Sequence, residues 1–287
     1  MMQRNVSGLD LAVYTTEFAK NTYDYVDWHW HTEFQFCIVL GGTVCFRVDD
    51  KPYCIPESGG IFINSQHIHM SKPQDCDAAS YFCVVFHPDM ICADRGSGLY
   101  RALVFPALSN PALSAVPLSS GNALQGEILE TLLRIRAQYS EKKFGFELDM
   151  AAGIFQIWKT MVSLLPLCPG QGHGVEDERL KRIMLLIKEK YSEPLTLDAI
   201  ARQINISRGE CCRYFRKMTG QPLFEYITRF RIDKSVELLL YTDMRISDIA
   251  AESGFGTQSY YTECFRKLKG VTPRQFRLSN LSGKTPF

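Results

Sequence analysis

The chain has 287 residues, 46% of them hydrophobic and 22% charged, an ordinary globular composition long enough for two domains. No run of about 18 apolar residues occurs, and Met1-Met2-Gln3-Arg4-Asn5 leads into no apolar signal core, so membrane insertion and secretion are not expected and a cytoplasmic protein is. The formal charge of +1 conceals a split: residues 1–175 carry 12 Lys and Arg against 17 Asp and Glu, and residues 176–287 carry 20 against 14, so the second part suits a polyanion such as nucleic acid.

Residues 25–90 read as β structure. Short apolar runs, Phe34 to Leu40, Thr43 to Val48, Tyr53 to Ile55, Ile61 to Ile63 and Tyr81 to Phe86, alternate with turn formers such as Gly41-Gly42 and Pro56-Glu57-Ser58-Gly59-Gly60. Such spacing predicts a small barrel or sandwich. Within it, His29-Trp30-His31-Thr32-Glu33-Phe34-Gln35 reads as one strand, which places His29, His31, Glu33 and Gln35 on one face. After a Pro- and Ser-containing stretch from Pro106 to Ser120, the period becomes helical: Leu124, Ile128, Leu132 and Ile135 form one stripe, and Met150, Ile154, Ile157 and Met161 another. Pro166 to Gly174 reads as a linker, and the chain from Glu176 to about Leu278 as helical. The ten cysteines include no C-x-x-C pair and one adjacent pair, Cys211-Cys212, a usage that predicts reduced thiols.

The helical part repeats itself. Ile200-Ala201, Ile206, Phe215-Arg216-Lys217 and Gly220-Gln221-Pro222 recur as Ile249-Ala250, Phe255, Phe265-Arg266-Lys267 and Gly270-Val271-Thr272-Pro273. In each copy an Ile-Ala helix is followed by a four-residue turn, Gln203 to Ile206 or Glu252 to Phe255, and then by a hydroxyl residue, Ser207 or Thr257, placed to cap the next helix. This is the plan of a helix-turn-helix, twice, with the second helix of each suited to a DNA major groove. Pro222, at a first helical position, opens a stretch free of Gly and Pro through Tyr241. Its length of about 30 Å is close to the roughly 34 Å of one duplex turn, so two reading helices could occupy successive grooves.

Over Leu195–Arg277 this pattern resembles the DNA-binding domain of the AraC-type (AraC/XylS) transcription regulators. The matching residues include Leu197, Ile200-Ala201, Ser207, Arg213, Phe215, Gly220, Pro222, Tyr226-Ile227, Arg231-Ile232, Ile249-Ala250, Gly254-Phe255, Ser259-Tyr260-Tyr261, Phe265, Lys267, Gly270, Thr272-Pro273 and Phe276-Arg277. The chain departs from the family at Cys211, where a Leu usually packs, at Ser235, usually Ala, and at Glu263, often Arg. The resemblance implies a base-reading face of Arg208, Gly209, Cys212 and Arg213 in the first unit and Thr257, Gln258, Tyr260 and Glu263 in the second, flanked by Ser207 and Ser259. By side-chain chemistry Arg213 can grip guanine, Gln258 adenine, and Glu263 can accept from cytosine, whereas Gly209 and Cys212 offer little. Arg216, Lys217, Arg266 and Lys267 are expected on phosphates.

The first part resembles the cupin-like sensor barrel of the same family, with an H-x-H opening, a following Gly42, and Asn64 and His69 where the motif closes. Three readings of its histidines stand side by side. One is effector binding by His29, Trp28 or Trp30, His31, Glu33, Gln35, Arg47 and His69, a polar pocket rimmed by Trp that suits a sugar or other hydroxylated molecule. Another is metal ligation by His29, His31 and His69 with Glu33, as in a metal-dependent cupin enzyme fused to a DNA-binding domain. The third is purely structural hydrogen bonding. The resemblance implies the first, without metal or other cofactor and without catalysis.

The expectation is therefore a multidomain α+β chain. A sensing barrel spans 1–105, a helical dimerisation segment 106–165, a flexible linker 166–175, and an all-α domain with two helix-turn-helix units joined by a long helix 176–280. Its expected function is that of a transcription regulator, an activator, working as a homodimer on double-stranded DNA, with a small-molecule effector and RNA polymerase as partners.

Overall fold

The computed structural model describes residues 4–6, 9–20, 24–74, 79–110, 112–165 and 175–281. It divides into two compact units, Met1–Asp177 and Glu178–Phe287. The linker expected at 166–175 lies outside the described residues except for its last one.

In the first unit the strands are β1 Arg4–Asn5, β2 Leu11–Glu17, β3 Val26–His29, β4 Phe34–Gly41, β5 Thr43–Val48, β6 Lys51–Pro56, β7 Gly60–Ile63, β8 His69–Pro73, β9 Ser80–Phe86 and β10 Ala115–Leu118. They form two antiparallel sheets, ordered β1-β2-β9-β4-β7-β10 and β3-β8-β5-β6. Alternation sorts the side chains of β4: Cys37 and Val39 face the smaller sheet with Ile61, Ile63 and Tyr81, against Val44, Phe46 and Val48 of β5. Phe34, Phe36 and Ile38 face the opposite way, into a core shared with Phe62, Phe82 and Phe86.

That second face is covered by helices. After α1 Gly98–Leu103 and α2 Phe105–Leu108 come α3 Ala123–Glu141 and α4 Phe146–Leu164. Ile128, Leu132 and Ile135 of α3 and Met150, Ile154, Ile157 and Met161 of α4 are buried in the same core, the two stripes expected, although Leu124 at the start of α3 is exposed. Gly60 permits the close approach of sheet and helix: a Cβ there would stand 2.5 Å from the Cys37 carbonyl oxygen and 2.6 Å from Leu129 Cδ2.

Several expectations change. The β structure is wider than residues 25–90, because β2 pairs with β9 and β10 closes the far edge on β7. The stretch 29–35 is not one strand: β3 ends at His29, residues 30–33 turn, and β4 starts at Phe34 in the other sheet. The cysteines are not all reduced, since Cys45 and Cys54, directly opposite on β5 and β6 with Cα atoms 4.1 Å apart, are joined as a disulfide.

The second unit is helical: α5 Val175–Lys190, α6 Leu197–Gln203, α7 Arg208–Thr219, α8 Leu223–Tyr241, α9 Ile246–Glu252, α10 Gln258–Lys269 and α11 Pro273–Leu281. Pro222 is the extended residue just before α8 rather than its first helical residue. The repeat is visible in packing. Cys211 and Phe215 of α7 and Tyr261 and Phe265 of α10, fifty residues on, are all fully buried.

Candidate DNA-reading helices and histidine cluster

Each candidate reading helix, α7 and α10, starts at a cap dictated by its sequence. Ser207 accepts from the Glu210 amide while the Glu210 carboxylate accepts from the Ser207 amide, a reciprocal capping box that also holds the Glu210 carboxyl below its usual range. Thr257 accepts from the Tyr260 amide at 3.3 Å. The turns before them reverse the chain through a left-handed residue, Asn205 at φ 54° in the first and Gly254 at φ 80° in the second. The Ile206 amide then donates to Ala201 O, and Phe255 to Ala250 O, so both turns close alike.

Burial of one stripe leaves the opposite one in water. Ser207, Arg208, Gly209, Cys212, Arg213, Arg216 and Lys217 are exposed, as are Thr257, Gln258, Ser259, Tyr260, Glu263, Arg266 and Lys267. Arg208 is drawn to Asp198 on α6 at 3.4 Å. Tyr260, Glu263 and Lys267 line a groove shared with Phe224, Thr228 and Arg229 of α8, which sets them on the α8 side of α10. Cys211 packs inward, where burial pushes its thiol up to about 11, while its neighbour Cys212 faces water.

Three cations of this unit serve the framework instead, and sequence reasoning missed them. Arg231 donates from Nε to Tyr191 O at 2.7 Å and from Nη2 to Glu193 O at 2.8 Å, tying α8 to the loop after α5. Arg277 donates to Leu239 O at 3.3 Å and Met244 O at 2.8 Å, tying α11 to the end of α8. Lys269 pairs with Asp233 at 3.1 Å, with both side chains mostly buried. Main-chain carbonyl partners leave no mark in a sequence. Ser235, the departure from Ala, accepts from Tyr261 OH at 3.0 Å and so links α8 to α10.

In the β unit, four of the expected residues meet. His29 stands opposite His69 across β3 and β8, and Gln35 reaches them from β4 of the facing sheet. One ring nitrogen from each of His29, His31 and His69 lies within 4.8 Å of the others. Each Nδ1 faces a main-chain carbonyl: His29 to Asp27 O at 2.8 Å, His31 to Glu33 O at 3.2 Å, and His69 to His67 O at 2.9 Å. A carbonyl only accepts, so Nδ1 carries the proton and Nε2 the lone pair. Burial, opposed in part by the Asp27 carbonyl, lowers His29 to about 4, and burial lowers His69 well below its ordinary value, so both are neutral at pH 7.

Other expected residues stand elsewhere. Glu33 is 3.5 Å from His31 Nδ1, behind the ring rather than among the Nε2 atoms, because the turn at 30–33 breaks the alternation that would have aligned it. Arg47 pairs with Met70 while the adjacent Val48 pairs with His69, so Arg47 leaves the sheet on the outer face. Trp30 lies past the end of β3, half-buried. Asn64 is occupied by the Ala107 and Leu113 carbonyls, both at 2.8 Å, and His67 by Asp49 at 2.7 Å.

Comparison with known proteins gives a consistent picture. Residues 11–157, just over half of the chain, match the family described as "AraC-like ligand binding domain", and residues 200–279 match "Helix-turn-helix domain". The chain is similar to the uncharacterized HTH-type transcriptional regulator YdeC of Bacillus subtilis (strain 168), at 28% identity over 273 residues covering 95% of this chain and 93% of that one. It is also similar to the HTH-type transcriptional activator RhaS of Enterobacter sp. (strain 638), at 29% identity over 256 residues covering 87% and 86%. Among solved structures, unsaturated fatty acid-bound ToxT from Vibrio cholerae strain SCE256 aligns with 99% of this chain and 100% of its own at 17% identity and a TM-score of 0.45.

Proposed function

Given that the chain belongs to the AraC-type family of transcription regulators, with a ligand-binding part and a helix-turn-helix DNA-binding part, we propose that α7 and α10 read bases and that the β unit couples an effector to this reading. The observation that carries the reading is the division of labour among polar residues of the second unit. Arg231, Lys269 and Arg277 are committed to holding helices together, while the stripe from Arg208 to Lys217 and that from Gln258 to Lys267 stay exposed opposite the buried Cys211, Phe215, Tyr261 and Phe265. The 19 residues of α8 span about 28 Å, the length needed to separate two helices by nearly one duplex turn.

In this reading Arg213 and Gln258 specify sequence, and Arg216, Lys217, Arg266 and Lys267 hold phosphates. The protein acts in the cytoplasm as an activator and a homodimer, contacts RNA polymerase, and catalyses nothing; the apolar stripes of α3 and α4 are spent on the core of their own unit, so a dimer would use other faces. Its sensing domain runs to 105, its dimerisation segment to 165 and its DNA-binding domain from 176 to 280. The effector shifts occupancy only if it binds the active arrangement more tightly than the inactive one. A sugar is less favoured than the polar residues alone imply, because the space between the sheets is filled by Val39, Val44, Phe46, Ile61 and Ile63.

Two variants test the assignment of faces. Arg213→Ala is expected to lose about 1–3 kcal/mol of discrimination at one base position, measured by competition between duplexes. Lys267→Ala is expected to weaken binding about equally on all duplexes and to reduce the slope of log K against log salt by about 1. The reverse pattern would mean that the two faces are misassigned.

A further inference from the structure

We propose that Cys45 and Cys54, on the outer face of the smaller sheet, form a reversible dithiol–disulfide site that exchanges with low-molecular-weight thiols and disulfides of the glutathione class. Position comes first. Val44, Phe46 and Val48 point between the sheets, so Cys45 points away from them, and Cys54 stands directly opposite it on β6. Cys54 is exposed and Cys45 half-buried, so a soluble thiolate can reach the bond at Cys54 Sγ. Cys37 and Cys83 provide the contrast. They too are opposed in register, on β4 and β9, with sulfurs 3.4 Å apart, yet both are free thiols. They are fully buried, and burial pushes the Cys83 thiol well up, so neither a reagent nor the thiolate that exchange needs is at hand there.

Charge favours the same site. Lys72 of β8 is directly opposite Cys45, and Arg47 lies two residues along β5, so both share the outer face with it. Asp50 offsets Arg47 in part, which leaves Lys72 as the cation placed to favour a Cys45 thiolate. The hairpin supplies the geometry: its pairs from Thr43↔Pro56 to Val48↔Lys51 hold the two sulfurs together whether or not they are bonded. The cysteines are nine residues apart in sequence, so the bond closes a loop that the hairpin has already closed, and opening it takes little from the fold. Under the cytoplasmic reading above, small thiols keep ordinary cysteines reduced, and an exposed bond there is one that cycles.

In opening, a thiolate RS⁻ attacks Cys54 Sγ, an RS–Cys54 bond forms, the Cys45–Cys54 bond breaks, and its electron pair leaves on Cys45 beside Lys72. A second RS⁻ attacks the small-molecule sulfur of this mixed disulfide and releases RSSR with a Cys54 thiolate. The two protein thiolates take up the protons given by the two RSH, so a protein disulfide and two RSH become a dithiol and RSSR; closing is the reverse. Gln74 Oε1, 3.6 Å from Cys45 Sγ, accepts the thiol hydrogen of the reduced form. The site goes beyond the effector reading of the β unit and does not depend on it.

The test equilibrates the full chain in buffers of stepped reduced-to-oxidised glutathione ratio, quenches with acid, alkylates, and locates thiols by peptide mass. Cys45 and Cys54 should gain and lose their thiols together while the chain stays folded by circular dichroism, and Cys37 and Cys83 should remain thiols at every ratio. Lys72→Gln should slow opening by reduced glutathione several-fold, and Lys72→Arg should restore the rate. A bond that stays closed in reduced glutathione until the chain unfolds would overturn the proposal by making it a structural staple. Thiols at 45 and 54 that persist in oxidised glutathione would overturn it from the other side. An opening rate unchanged by Lys72→Gln would overturn the assignment of Cys45 as the leaving sulfur.

Discussion

Trp158→Ala is expected to destabilise the N-terminal unit by about 3–5 kcal/mol, the range for emptying a fully buried Trp or Phe site. The side chain is 2% exposed and stacks on Phe34 of β4, centroids 4.3 Å apart and planes at 16°, with Phe62 and Phe86 around it. Its Nε1 donates to Leu103 O at 3.0 Å, so one residue of α4 grips both the sheet and the end of α1. Trp158→Phe keeps the stacking and loses the hydrogen bond, which is only partly buried, and should cost less, about 0.5–1.5 kcal/mol. Urea unfolding followed by a probe in the β unit measures both. Equal, small losses would mean that α4 is not docked on the sheet as described.

Gly254→Ala is expected to cost the second unit about 3 kcal/mol or more, from two sources. An L side chain at φ 80° costs about 1–2 kcal/mol. Its Cβ would also press on the Tyr191 carbonyl oxygen and stand 2.9 Å from Arg231 Nε and 3.0 Å from Ser192 Cα, an overpacking worth about 1–3 kcal/mol. The atoms met are main chain and the anchored guanidinium, neither able to move aside. Gly270→Ala is the internal comparison: its φ is 77°, nearly the same, with nothing within 4 Å of the added Cβ, so only the conformational cost should appear. Similar losses at both positions in thermal unfolding would remove the steric part of the account. A larger loss at Gly254 would tie the second reading turn to the loop after α5.

These two residues also mark how far the sequence could be read. Gly254 sat in the turn predicted from the repeat, and the reading helices, their caps and their exposed stripes were all legible, because local periodicity and capping chemistry set them. What the turn packs against was not, since Tyr191 and Arg231 come from distant segments. In the β unit, five short apolar runs between turn formers became strands, but β2 was overlooked and β10 hid among prolines and serines. Their strand state follows from pairing with β9 and β7, a non-local cause. The site was half legible: His29, His31, Gln35 and His69 meet, but the turn at 30–33 withdrew Glu33, and sheet register sent Arg47 outward. The Cys45–Cys54 bond likewise follows from register, which spacing along the chain does not reveal.

The central claim is that one chain presents two base-reading helices about one duplex turn apart. Selection of binding sites from random duplexes by the purified protein, at two salt concentrations, tests it most directly. The expected product is a motif with two conserved contacts about ten base pairs apart, one relaxed by Arg213→Ala and the other by Gln258→Ala, retained at the higher salt. Recovery of no motif, with binding that vanishes as salt rises, would contradict it and reduce the exposed stripes of α7 and α10 to a basic surface without sequence preference.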